Sequence, residues 1–151
     1  MATTTATITL TSSDIADNNI SISNTATLTK AGVATGLDQT SGLRKRTLSG
    51  TPATTKLIDL DYYQDQVLTE NKAAKVYIKN TGTSTAQYVK VSMRTGGSDA
   101  SEEIGWLYGG DWMLFPYAAV WTSAAHVNNQ DIDIIASNTD SVTLEYMVLY
   151  E

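Results

Sequence analysis

The chain of 151 residues carries 16 acidic and 10 basic side chains, one histidine and no cysteine, and 42% of it is hydrophobic. That length supports one domain, residues 1–151, with a core that needs no staples, while the composition excludes disulfide scaffolds, cysteine zinc sites and any centre built from several histidines. A net charge of -6 argues against nucleic acid as a partner, because sequence-independent binding neutralises phosphates with Lys and Arg; no apolar run reaches the roughly 20 residues that cross a bilayer, and no basic residue precedes an apolar stretch at the N-terminus, so neither a membrane partner nor a signal peptide is expected.

In chain order, Thr5 to Thr11 alternates Ala6, Ile8 and Leu10 with four threonines, the two-residue period of a half-buried strand. Ile20 to Lys30 repeats the alternation with Ile20, Ile22, Ala26 and Leu28, so the pair reads as one hairpin, and its β-branched threonines suit an extended backbone. Residues 31–55 are rich in Gly, Ser and Thr and contain Arg44-Lys45-Arg46, with apolar positions for one short strand at most. This stretch reads as a long basic loop or arm within the domain, and loops of that length in compact domains are binding elements or disordered segments. Leu57 to Tyr63 resumes strand alternation, and Thr69 to Lys75 could hold a helical turn. Lys75 to Lys79 and Gln87 to Met93, joined through Asn80-Thr81-Gly82, read as an antiparallel hairpin with Val76, Ile78, Val89, Val91 and Met93 inward. Ile104 to Tyr108 and Trp112 to Tyr117 flank a tight Gly109-Gly110-Asp111 turn, and Asp131 to Ala136 and Val142 to Tyr150 complete the set. Eight or nine short strands with polar turns predict an all-β fold, an antiparallel β-sandwich of jelly-roll type.

Charge is segregated along the chain. All ten basic residues fall between Lys30 and Arg94, whereas residues 95–151 hold nine acids and no base. Segments of opposite sign can meet within one subunit, or the basic part of one copy can meet the acidic part of a neighbour in a homo-oligomer.

Few residues suggest chemistry. Asp59-Leu60-Asp61 and Asp131-Ile132-Asp133 each place two carboxylates on one strand face, a pattern shared by calcium sites, acid and base pairs and plain solvated strands, and neither sits in a calcium-loop motif. His126 has no nucleophile elbow to work with. No catalytic residue, cofactor or metal is expected. Trp106, Tyr108, Trp112, Phe115, Tyr117 and Trp121 bring six of the chain's twelve aromatics into sixteen residues. Some of these rings are expected in the core, and Trp106, Trp112, Tyr117 and Trp121 are the candidates for a protein interface or a glycan platform.

Lys75-Val76-Tyr77-Ile78-Lys79-Asn80-Thr81-Gly82, Gly110-Asp111-Trp112-Met113-Leu114-Phe115-Pro116 and the closing Val142-Thr143-Leu144-Glu145-Tyr146 resemble the C-terminal β-domain of small tailed-phage virion proteins. The resemblance spans about the last 80 residues. It implies a non-enzymatic virion structural protein assembled in the host cytoplasm, foremost a capsid cement or decoration protein that binds the major capsid protein or other virion proteins as a homo-oligomer, with a trimer favoured. Head-tail connector, tail or fibre component is the alternative. Under this implication Arg44, Lys45 and Arg46 are the candidate capsid contacts.

Overall fold

The computed structural model describes residues 4–13, 20–28, 37, 39–49, 54–58, 73–94, 101–118, 131–136 and 140–150. They are all-β, with eleven strands: β1 (Thr5–Ser12), β2 (Ile20–Thr27), β3 (Gln39–Thr40), β4 (Arg44–Leu48), β5 (Thr54–Ile58), β6 (Ala73–Asn80), β7 (Val89–Arg94), β8 (Ser101–Leu107), β9 (Trp112–Ala118), β10 (Ile132–Ala136) and β11 (Val142–Tyr150).

Two antiparallel sheets form the body. One runs β4-β11-β6-β9, with the two-residue β3 also on β11, and the other runs β5-β10-β7-β8. The chain thus steps between sheets at almost every connection, which is the double Greek-key arrangement of a jelly roll. Alternation decides which side chains enter the core: Val76, Ile78, Leu144 and Val148 from the first sheet meet Val89, Val91, Ile132 and Ile134 from the second, all fully buried. β11 shows the pattern most fully, with Val142, Leu144, Tyr146, Val148 and Tyr150 inward.

Three local expectations are corrected. The strands on either side of Asn80-Thr81-Gly82 are not hydrogen-bonded to each other. β6 pairs with β11 and β9, and β7 pairs with β10 and β8, so the connection crosses from one sheet to the other. A turn signal specifies that the chain reverses, and long-range partners decide with which strand it pairs. Second, Ala73 to Lys75 begins β6 and carries no helical turn. Third, part of the stretch expected as a loop is strand: β3 and β4 add to the free edge of β11, where backbone pairing with one neighbour suffices and Thr47 Oγ1 bonds Thr143 Oγ1 at 2.9 Å.

The crossover is fastened at one residue. Asn80 is fully buried; its Nδ2 donates to Gln87 O at 2.7 Å and to Leu107 O at 3.0 Å, and its Oδ1 accepts from Gly82 N at 2.9 Å. Its backbone carbonyl accepts from Gly110 N at 3.0 Å and its N–H donates to Asp111 O at 2.9 Å, tying the β8–β9 turn to the β6–β7 connection. Gly110 sits at φ +92, a left-handed conformation that a side chain strains. Gly109 is fixed by proximity, since a Cβ there would lie 2.8 Å from Ser84 O and 2.9 Å from Gly82 O. Gly109→Ala is therefore expected to cost about 2 kcal/mol by forcing backbone apart. Gly105→Ala, with open space around it, serves as the neutral comparison in urea unfolding.

β1 and β2 stand outside the sandwich as a separate two-stranded ribbon in full register from Thr5↔Thr27 to Ser12↔Ile20. Its root is held by a second small core, in which Leu28, Leu37 and Leu149 are buried with Ala6 and Met147 packed against them. Leu28 N donates to Thr4 O and Leu37 N to Leu28 O, which fasten the segments of the root to one another, while Leu149 and Met147 supply the contact with β11.

Candidate functional site

The ribbon has two unlike faces. One is entirely hydroxyl-bearing, with Thr7 Oγ1 bonded to Thr25 Oγ1 at 2.8 Å, and cross-strand hydroxyl pairs of this kind support a sheet that has no core beneath it. The other carries Ala6, Ile8, Leu10, Ile20, Ile22 and Ala26. The expected half-buried strand face is not buried along its length: Ile8, Leu10 and Ile22 keep 45%, 55% and 54% of their surface in water. Burial is confined to the root. Between the ribbon and the body lies a mainly apolar cleft of about 230 Å3, lined by Ala6, Ile8 and Ala26 on one side and Lys75, Leu114 and Pro116 on the other.

The aromatic cluster divides between two surfaces. Trp106 and Tyr108 lie beside β8 of one sheet and pack on Tyr88 at ring-centroid distances of 5.3 and 5.6 Å. Trp112 lies on β9 of the other sheet, 6.5 Å from Tyr77. Trp106 and Trp112 are both about half exposed, and Phe115 is the ring that packs against the core. The Gly109-Gly110 turn separates the two tryptophans, because the chain changes sheets there. Tyr88 was not anticipated in either patch; its only sequence signal is its place one residue before β7. The side chain of Tyr117, and all of Trp121 and His126, lie outside the described residues.

The basic triplet is engaged within the chain. Lys45 Nζ meets Glu145 Oε1 at 3.0 Å across the β4–β11 pair, so the opposite charges of the middle and C-terminal segments meet here inside one subunit. Arg46 Nη1 donates to Lys56 O at 2.6 Å, bridging β4 of one sheet to β5 of the other, and Arg44 Nε donates to Ser41 O at 3.3 Å. All three remain exposed, but as braces of a sheet edge and not as a loop reaching away from the body.

Of the two acid pairs, residues 59–61 lie outside the described residues. Asp131 and Asp133 are buried on the side of β10 opposite Ile132 and Ile134, and Asp131 Oδ2 meets Lys56 Nζ at 2.7 Å. This is the geometry of a structural ion pair. Among the described residues no group of three acids or histidines comes together to hold a metal.

One titration is shifted. Burial, and then the Glu145 carboxylate, push the Tyr77 hydroxyl above its ordinary value. A raised folded-state value means that the stability held by neutral Tyr77 is full below pH about 10 and is lost as pH rises through the folded value. Tyr77→Phe is expected to flatten the alkaline limb of the stability curve while leaving neutral stability unchanged within about 0.5 kcal/mol, as read by thermal melts across the pH range.

Compared with known protein families and with curated proteins, the chain matches no family model and no curated sequence.

Proposed function

We propose that the chain is a non-enzymatic structural subunit that acts by assembly: a capsid cement or decoration protein of a tailed-phage virion, working as a homo-oligomer on the major capsid protein. The observation that carries the assembly reading is the β1–β2 ribbon. A lone two-stranded sheet is marginal in water, and this one holds three large aliphatic side chains in solvent. Among the described residues each of its strands pairs only with the other, leaving backbone edges on which the described ribbon places neither proline nor charge.

A second copy is the occupant that the charges favour. The chain carries -6, so two copies repel over most of their surfaces. The described residues of the ribbon, 4–13 and 20–28, contain no charged side chain and are where copies can approach without opposing like charges. The virion assignment comes from the resemblance of the β6–β11 region to phage β-domains, with the jelly-roll body as its structural support. Many weak contacts repeated over a shell would stabilise the shell by mass action.

Sedimentation equilibrium tests the assembly step. The expected mass is three times the 16.3 kDa of one chain. A monomer persisting at about 100 μM would contradict it.

A further inference from the structure

From the three rings at the end of β8, we infer that this chain carries a carbohydrate site on the β5-β10-β7-β8 sheet, formed by Tyr88, Trp106 and Tyr108 with Glu103 and Lys90 at its margin. This surface belongs to the sheet opposite the one that carries the ribbon, and sugar binding there requires no assembly.

The rings form one continuous surface. Tyr88 contacts both neighbours, with ring planes inclined at 45° to Trp106 and 49° to Tyr108, so the three rings adjoin without lying in one plane. Trp106 stands directly across from Lys90 in the β7–β8 register, on the side of the sheet away from Val89 and Leu107. Its indole Nε1 donates to Glu103 Oε1. That bond fixes the indole's rotation and occupies its only donor, so the ring offers a ligand its π face. Such a face suits the C–H side of a pyranose, which is apolar and carries weakly positive hydrogens.

Polar partners stand beside the rings. Glu103 Oε2 lies 3.9 Å from Lys90 Nζ, a loose contact that leaves both groups able to bond a ligand. Together they offer an acceptor and a donor to neighbouring hydroxyls. Asp111 Oδ2 accepts from Tyr108 N at 3.0 Å and holds the third ring's backbone in place. A few fixed polar groups beside an apolar surface are how small-ligand sites set orientation. The same margin disfavours a protein partner, because a dry interface would strip water from Glu103 and Lys90 without replacing it, whereas sugar hydroxyls supply hydrogen bonds in the water's stead. The carboxylates of Glu103 and Asp111, which bond the Trp106 indole and the Tyr108 backbone, disfavour a phosphorylated ligand.

Isothermal titration of the full chain with chitotetraose, cellotetraose and maltotetraose, each to about 10 mM, tests the site. Saturable heat is expected with at least one of them. Trp106→Ala should weaken that binding about tenfold or more, Trp106→Phe should retain it within about threefold because a stacking face remains, and Trp112→Ala, on the opposite sheet, should leave it unchanged. Because Trp106 is half exposed, all three variants should fold, as their melting temperatures will show. No heat with any of the three sugars overturns the assignment. So does binding that survives Trp106→Ala or falls equally in Trp112→Ala.

Discussion

Asn80→Asp is expected to lower stability by about 4 kcal/mol at pH 7, and Asn80→Ala by about 3 kcal/mol, enough to drop the melting temperature by about 10 °C. The side chain makes three hydrogen bonds inside the fold, two of them donated to the carbonyls of Gln87 and Leu107. Alanine leaves those acceptors and the Gly82 N–H without their partner, and each buried polar group that loses its bond costs about 1 to 3 kcal/mol. Aspartate keeps the shape and is worse, because an ionised carboxylate then faces two carbonyl oxygens at donor distance. Protonation restores one donor, so the aspartate's folded-state value lies above its unfolded one. The Asp variant should therefore regain stability relative to the Ala variant as pH falls through that raised value, with the recovery complete by pH about 4. Urea unfolding of both variants at pH 7 and pH 3.5 reads all of this. A loss below about 1 kcal/mol at pH 7 would show that the crossover is held elsewhere.

Leu10→Glu together with Ile22→Glu is expected to turn the oligomer into a monomer while leaving the sandwich folded. The two residues are cross-strand partners on the apolar face of the ribbon, and each is more than half exposed in the single chain. Charges at these positions cost the isolated subunit little, since water already reaches them. Within an interface the same carboxylates would be desolvated without a partner and set against their symmetry mates, a penalty of several kcal/mol that abolishes association at micromolar concentration. Thr9→Glu with Ser23→Glu, on the hydroxyl face, is the matched control, with the same charge added to the same two strands. Retained trimer in the first pair, or equal dissociation in both, would count against the apolar face as the contact.

Much of the fold was legible in the residues, for identifiable reasons. Val142 to Tyr146 alternates cleanly because β11 lies between two neighbours with one face in the core, whereas Met147 and Leu149 break the pattern because the root of the ribbon covers the outer face there. The hairpin pairing of β1 with β2 was equally readable, since a short polar connection leaves few other partners. Its exposure was not readable. Ile8 and Leu10 carry the alternation of a buried face, and nothing local distinguishes a face that meets its own core from one that meets another molecule. β4 was obscured because Arg44, Lys45 and Arg46 look like a solvated loop, yet an edge strand needs only one paired side and can keep its charges in water. Lys45 and Arg46 have partners in Glu145 and Lys56, so the charge cluster also braces the sheet edge, a role that clustering in sequence does not reveal.

The placement of the aromatics was hidden for a different reason. Trp106 and Trp112 are six positions apart, but the turn between them carries the chain from one sheet to the other. Tyr88, eighteen positions upstream of Trp106, lies against it through the β7–β8 pairing. Sequence distance was a poor guide to both, because sheet membership is decided by long-range pairing.

The most direct measurement of the proposed role is occupancy on a shell. For the proposed phage origin, mature capsids lacking the chain are incubated with the purified protein, and bound copies are counted against the major capsid protein. A cement role requires saturable binding over the whole shell at a fixed ratio, together with raised resistance of the capsid to heat, and loss of both with Leu10→Glu and Ile22→Glu. Absence of binding, or a few copies confined to one vertex, would contradict a cement role.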